Sequence, residues 1–405
     1  MEVFLARQPI LDGQLKVSGY ELLFRGGTQN AFATTGGDSA TSQVLSNTLF
    51  SAGIESITAG STAFINFTRD LIVQGIARIL PPQALTIEIL EDVEPDDELI
   101  MTLKELKADH YRIALDDFVY RPSIEPLIEI CDMVKFDLRL SSTDEIASWS
   151  RWFRSRGKLL LAEKIETMQE YEWARELGFD YFQGYFFSRP QLMSNATIPG
   201  LKLTRLQIMS ELANPDFSFD KIESIMKTDL STSYKLLKYI NSPFFRRLVT
   251  IDSIHRALVM IGETGIRRFL AVIILSELTE DRPGELLKSS VIRAKICEEI
   301  GHLPGNRPGA AELFTMGLFS LIDAILETPM ERLLTELPLT EELKQTLLGH
   351  ETALSNYLEM AKAYEAADWD AIQNLAGELR IELEDLPEIY LQALSYADSL
   401  ENIQA

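Results

Sequence analysis

The sequence predicts an α/β barrel of the (β/α)8, TIM-like kind with an antiparallel first strand, followed by an all-helical domain. Over the first 190 residues, short apolar strand-like runs alternate with amphipathic segments. Nearly every run ends in an acid or an amide. Beyond residue 200 only helical periodicity is left. With 405 residues the chain exceeds one core of typical size, so two domains are expected.

Strands are expected at Val3–Ala6, Val17–Leu23, Ala63–Phe67, Leu85–Leu90, Tyr111–Leu115, Met133–Phe136, Leu159–Ala162 and Tyr181–Phe182. The first two are joined by a hairpin-sized connection around Asp12-Gly13, so the first strand should run against the others. Helices are expected between most strands, as at Ser42–Ser51, Asp70–Ile79, Asp97–Ala108 and Met168–Leu177. Eight strands with crossover helices suggest a closed barrel. Residues 191–200, polar with Asn195 and Pro199, read as a linker between a barrel over 1–190 and a helical domain over 201–405. In the second half the spacing predicts helices at Leu201–Ala213, Phe219–Lys227, Leu230–Ile240, Ile251–Met260, Thr264–Leu278 and Gly284–Gly301. Further helices follow at Ala310–Glu327, Met330–Leu334, Glu341–Glu365, Trp369–Leu379 and Leu386–Leu400. Asn241-Ser242-Pro243 and Gly262 are expected stops.

Composition narrows the function classes. Hydrophobic content of 46% with 24% charged residues describes an ordinary globular protein. No apolar run is long enough to span a bilayer and no charged-then-apolar leader opens the chain, so a cytoplasmic protein without membrane partners is expected. Cys131 and Cys297 cannot form a disulfide framework, and neither has zinc-ligand spacing to a Cys or His, so both read as small buried residues. A net charge of −23 argues against a DNA-binding surface. It leaves room for a small anion held through metal ions.

The candidate chemistry lies at the strand ends. Ile113-Ala114-Leu115 runs straight into Asp116-Asp117, and taken alone the pair fits a solvated loop as well as a site. The other strands repeat the pattern. Glu21 and Asn66 lie near the ends of the second and third, and Glu88 with Glu91 closes the fourth. Lys135 and Asp137 close the sixth, Glu163 and Glu166 follow the seventh, and Gln183 follows the eighth. Buried carboxylates are costly unless a cation offsets them. Carboxylate and amide oxygens suit Mg²⁺ or Mn²⁺, and acids around one or two such ions are used to hydrolyse phosphodiesters.

These residues carry a resemblance. Gln8-Pro9-Ile10, Glu21-Leu22-Leu23-Phe24-Arg25, Ile65-Asn66-Phe67-Thr68, Ile87-Glu88-Ile89-Leu90-Glu91 and Leu115-Asp116-Asp117-Phe118 occur in order. Val134-Lys135-Phe136-Asp137, Ala162-Glu163 with Glu166-Thr167, and Gln183-Gly184-Tyr185 complete the set. Together they resemble the EAL-domain family, which binds or hydrolyses cyclic di-GMP. The resemblance implies that Glu21, Asn66, Glu88 and Asp116 are metal ligands, with Asp117 serving a second metal. It implies that Glu163 binds metal or helps position the attacking water, that Lys135 holds that water or the phosphate, and that Gln183 lines the nucleophile's surroundings. Arg25 and Gln8 would contact the dinucleotide. Gln8, Arg25 and Glu166 can equally be loop-fixing hydrogen-bonders, and Asp137 reads as a salt-bridge partner.

Departures accompany the matches. Where the family has a Gly-rich loop G-T-G-Y-S-S that shapes the metal site and the dimer contact, this chain has Val119-Tyr120-Arg121-Pro122-Ser123. Valine does not take the positive φ open to glycine, so the loop should be rebuilt. Lys164 stands where the family has Gly, and its ammonium would compete with a divalent ion unless it points away. The span from Lys135 to Glu163 looks short, as though its crossover helix were trimmed.

In the second half, Asp229, Leu236-Leu237, Asn241-Ser242, Ile251 with Ile254-His255-Arg256-Ala257, Ile261-Gly262 and Gly317-Leu318-Phe319 resemble the HDOD family. That is a helical domain related to metal-dependent HD phosphohydrolases but lacking their metal ligands. No His-Asp pair occurs in the chain, and Leu321-Ile322-Asp323 keeps only the acid. His255 reads as a packing residue, His302 and His350 as surface residues, and His110 as the close of the helix before the Asp-Asp strand.

Two readings follow. One is a cyclic di-GMP signalling protein whose phosphodiesterase-like barrel binds the nucleotide, or also cleaves it to pGpG with Mg²⁺ or Mn²⁺, coupled to an HDOD-like domain that binds an unidentified protein partner. The other is a catalytically inactive scaffold acting through protein–protein contacts. A homodimer fits either.

Overall fold

The structure, a computed structural model, describes residues 3–26, 53–188, 230–241, 245, 251, 254–278, 284–303, 309–337 and 339–404. The expected helices Ser42–Ser51, Leu201–Ala213 and Phe219–Lys227, the linker 191–200, and Asp229, Ser242 and Pro243 lie outside them. The chain divides into two compact units, one carrying the strands and one carrying the helices that follow.

The first unit is a closed barrel in which eight strands pair in sequence order. They are β1 (Val3–Asp12), β2 (Val17–Gly26), β3 (Thr62–Phe67), β4 (Leu85–Ile89), β5 (Arg112–Leu115), β6 (Met133–Asp137), β7 (Leu159–Glu163) and β8 (Tyr181–Phe182). As expected, β1 is antiparallel to both its neighbours, and every other pairing is parallel. Its hairpin is built by the Asp12 carboxylate, which accepts from Gln14 N at 2.8 Å and Lys16 N at 3.0 Å. The left-handed residue there is Leu15, at φ 60°, and not Gly13.

Outside the barrel lie α1 (Ile54–Thr58), α2 (Arg69–Val73), α3 (Asp97–Ala108), α4 (Glu125–Ile130), α5 (Thr143–Arg154) and α6 (Met168–Glu176). The single helix expected over Asp70–Ile79 is instead α2 and a 3-10 turn, broken at Gly75, whose φ is 73°. The crossover before β7 is not trimmed: α5 has 12 residues and a reciprocal capping box between Ser142 and Glu145. Interior and helices cover both faces of the strands, so all five residues of β4 and of β6 are buried.

Inside the barrel, Ile10, Phe64, Ala114, Met133 and Leu161 form one apolar layer, with Leu159 and Tyr181 packed against it. Gly19 belongs to this level, because a Cβ there would meet Phe64 Cε2 at 2.6 Å. Side chains alternate along a strand, so residues two positions further on point into the same interior. Those residues are Glu21, Asn66, Asp116, Lys135, Glu163 and Gln183, and two positions back along the reversed β1 lies Gln8. The apolar layer is therefore the floor under the polar ring.

The second unit is helical among its described residues. It holds α7 (Leu230–Ile240), α8 (Ile254–Leu278), α9 (Gly284–His302), α10 (Ala310–Phe319), α11 (Ile322–Leu326) and α12 (Met330–Glu336). These are followed by α13 (Glu341–Leu347), α14 (Ser355–Ala366), α15 (Trp369–Leu379) and α16 (Leu386–Gln404). Gly262 breaks the helical geometry inside α8 with φ 71° and ψ 173°, as expected. The expected helix Ala310–Glu327 is divided at Ser320-Leu321, and Glu341–Glu365 is divided near Gly349, at φ 84°. Most of α9 is buried, and its charged residues find partners. Lys288 pairs with Asp398 at 2.7 Å, Lys295 with Glu298 at 2.8 Å, and Arg268 with the same Glu298. Asn241 clamps Ile251 in both directions, donating to its O at 2.8 Å and accepting from its N at 2.7 Å. Gly317 lets α10 approach α9, since a Cβ would lie 2.5 Å from Ala294 Cα. These motif residues serve packing.

Candidate functional site

The polar ring closes on Lys135. Its fully buried ammonium lies 2.7 Å from Glu88 Oε1, 2.7 Å from Asp116 Oδ1, 3.0 Å from Glu163 Oε1 and 3.6 Å from Glu21 Oε1. Strands β2, β4, β5, β6 and β7 each supply one member, so the cluster exists only when the barrel is closed. Asn66 Nδ2 donates to Glu21 Oε1 at 3.3 Å. Gln183 Nε2 donates to Glu21 Oε2 at 2.7 Å and to Gln8 Oε1 at 3.0 Å. Gln8, Glu21, Asn66, Glu88, Asp116, Lys135, Glu163 and Gln183 are thus brought together. Arg25 is in β2, and its side chain lies outside the described residues.

Four carboxylates against one ammonium leave three negative charges in a nearly dry space (4 − 1 = 3). Protons carry part of the excess. Burial pushes the Glu163 carboxyl up to about 8, against the pull of Lys135. Burial also pushes Glu88 well above the usual carboxylate range. Burial draws the Lys135 ammonium down, yet Glu163, Glu21, Glu88 and Asp116 together push it higher, so it keeps its proton.

Asp117 completes a second group. The backbone turns left-handed at this residue, with φ 39°, and that turn lets two neighbouring carboxylates face one space. Carboxylate oxygens of Asp116, Asp117 and Glu163 lie within 4.8 Å of one another. Among the described residues this is the one group of His, Cys, Asp and Glu able to hold a metal ion. Burial, and then the Asp116 charge, push Asp117 up to about 6. Asn66 Oδ1, Glu88 Oε2 and Glu163 Oε2 are buried without a hydrogen-bond partner. Unpartnered oxygens, excess negative charge and an all-oxygen donor set fit a hard divalent cation.

The two departures now have a physical account. Lys164 is left-handed at φ 55°, a conformation natural to glycine, and its ammonium is directed to the buried Asp137 carboxylate. Arg139 N donates to Asp137 Oδ1 at 2.7 Å, so Asp137 is a rim partner. Arg139, which the sequence did not single out, also pairs with Glu170 at 2.8 Å, and exposed Glu166 lies 3.7 Å from it. After Asp117 the loop takes no positive φ at Val119. It is held instead by Phe118 packed on Phe136, Trp149 and Phe153. Tyr120 stacks on Trp149 at 4.8 Å, and Arg121 donates to the Glu91 carbonyl at 2.5 Å. The rebuilt loop is fastened by aromatic packing. Sequence alone could not show this, because Trp149 and Phe153 are supplied by α5.

Comparison with known proteins adds context. The EAL domain model matches residues 38–190 and the HDOD domain model matches residues 198–347. The first match begins after β2, so Gln8, Glu21 and Arg25 precede it. The Bacillus subtilis protein YuxH, described as uncharacterized, is 36% identical over 408 residues, covering 99% of this chain and 99% of its own. The Vibrio cholerae protein named cyclic di-GMP phosphodiesterase CdgJ is 32% identical over 403 residues, covering 99% of this chain and 93% of its own. A solved EAL domain protein from Listeria monocytogenes is 24% identical, covering 46% of this chain and 87% of its own, with a TM-score of 0.39. Among the described residues no helix is long and apolar enough to cross a membrane.

Proposed function

Because the chain belongs to the family that joins an EAL domain to an HDOD domain, we propose that its barrel is a metal-dependent phosphodiesterase that opens cyclic di-GMP to linear pGpG. The observation that carries this reading is the assembled ring of carboxylates and amides around Lys135. Glu21, Asn66, Glu88 and Asp116 would hold Mg²⁺ or Mn²⁺, with Asp117 and Glu163 at a second position. A bound divalent ion supplies charge for the phosphate oxygens and acidifies a water.

The chain's own groups do the rest. Lys135 holds its ammonium at the centre of the ring, where it can meet phosphate charge or the attacking water. Glu163, once a bound cation has displaced its proton, would hold the attacking water in place. The water's oxygen forms a bond to phosphorus as the bond from phosphorus to one ribose oxygen breaks, the proton released by the water passes to that leaving oxygen, and the cycle opens. Gln183 fixes Glu21 and Gln8, and Gln8 with Arg25 contacts the dinucleotide. The barrel domain on this reading is 1–190, the linker 191–200 and the helical domain 201–405. The helical domain would bind a protein partner. The setting is the cytoplasm.

A second reading is favoured by one observation, the replacement of the glycine loop by Val119 and Tyr120, both exposed. It makes the barrel a scaffold without turnover. Incubation of the full chain with cyclic di-GMP and Mn²⁺ separates the two: release of pGpG supports the enzyme reading and its absence supports the scaffold, while calorimetric titration shows whether that scaffold still binds the nucleotide.

A further inference from the structure

A cavity of about 420 Å³ lies at the end of the barrel opposite the ring. Its walls are the last turns of α3, the first residue of β5, the end of α4 with the turn into β6, and the turn into β7. Those are amino ends of parallel strands, whereas Glu163 ends β7, Asp116 follows β5 and Lys135 lies midway along β6. Lys104, Lys107, Arg112, Arg156 and Lys158 line it. Glu129 and Asp132 are the acids present, so the cavity carries a formal charge of +3 (5 − 2). The whole chain carries −23, which makes this concentration of cations a local feature.

Some of these cations have structural employment. Lys107 pairs with Asp132, whose other oxygen accepts Ile113 N at 3.0 Å. Lys158 donates to the carbonyls of Glu129 at 3.0 Å and Cys131 at 2.6 Å, closing the end of α4. The Arg156 guanidinium carbon lies over the Trp152 ring, 3.6 Å from its centre. Lys104 and Arg112 are exposed and have no ion pair or side-chain hydrogen bond among the described residues. Like charges drawn into one concavity from separate crossover segments repel unless an anion joins them.

We propose that this cavity binds a small phosphate compound bearing several negative charges, of about nucleotide size. Arg112 and Arg156 supply planar forks for phosphate oxygens, and Lys104 supplies a mobile point charge. The volume lies in the range of small-molecule sites. Strands β5, β6 and β7 begin at this cavity and lead to Asp116, Lys135 and Glu163, about 7–13 Å of strand away. The site stands apart from the cyclic di-GMP reading and does not depend on it.

The test is isothermal titration of the full chain, freed of divalent ions, with ATP, pyrophosphate and inorganic phosphate in turn. Saturable binding is expected, at least about tenfold weaker in a Lys104→Glu, Arg112→Glu double variant and weakened by added salt. Binding by pyrophosphate alone identifies a bare-phosphate site, and a requirement for ATP identifies a nucleotide site. Both substituted side chains are exposed and unpaired, and a Lys104→Gln, Arg112→Gln variant repeats the measurement without charge reversal. Glu21→Ala should leave binding unchanged. No saturable binding to any probe, affinity in both double variants equal to the parent's, or loss in Glu21→Ala overturns the proposal.

Discussion

Replacing Lys135 by methionine removes the one cation inside the ring while nearly preserving its volume. The ammonium stands 2.7 Å from two carboxylates, 3.0 Å from a third and 3.6 Å from a fourth. At an effective dielectric of about 20, each contact is worth roughly 5–6 kcal/mol before solvation is counted. Burying the ammonium offsets most of that, and the carboxylates of the variant relieve more by taking up protons. The net loss is that of a broken buried ion pair, about 3–5 kcal/mol. For a unit of this size it lowers the melting temperature by about 6–20 °C. Trp149, Trp152 and Trp173 lie in the barrel and only Trp369 in the helical unit, so tryptophan fluorescence follows the correct transition. Lys135→Met should melt early in EDTA and recover part of the difference in Mg²⁺, which replaces the lost charge. Melting within about 2 °C of the parent in EDTA would refute the claim that Lys135 holds the ring together.

Further outcomes are expected. Glu163 and Asp117 must lose protons to bind a cation, and their carboxyls lie at about 8 and about 6, so Mn²⁺ affinity should rise from pH 6 to pH 8.5. The Glu163 proton alone accounts for up to about 100-fold, and calorimetry at the two pH values reads it. The sign reverses without metal. Protonated Glu163 stabilises the fold fully below its unfolded value near 4.5, and that stability is lost as pH rises through about 8. Lys164→Gly removes a half-exposed ion pair and a left-handed lysine together, so stability should change by less than about 1 kcal/mol and Mn²⁺ affinity by less than about threefold. A large gain in metal affinity would show that Lys164 does suppress the site. Gly184→Ala should cost more than about 3 kcal/mol in denaturant unfolding, because φ is 144° and a Cβ would collide with the Ile165 carbonyl oxygen.

The barrel was legible because β-strand chemistry is local. Apolar runs such as Leu85–Ile89 and Met133–Phe136 announce strands, and period two places Phe64 below Asn66 and Met133 below Lys135. Which ring members touch was not legible. Period two says that Lys135 points inward, but its meeting with Glu88 and Glu21 depends on barrel closure across strands far apart in sequence. The direction of Lys164 was likewise hidden, since Asp137 meets it through adjacent strands. Helix breaks near Gly75 and Gly349 were missed because the apolar spacing runs on through them while the backbone does not. The basic cavity leaves no periodic trace, because Lys104, Arg112 and Arg156 belong to different segments joined only by the fold.

The most direct measurement is product formation. The full chain is incubated with cyclic di-GMP and Mn²⁺ or Mg²⁺, and the nucleotides are separated by chromatography. Linear pGpG is expected, dependent on the metal and abolished in Glu21→Ala and in Glu163→Gln. No pGpG with either metal would contradict the enzyme reading.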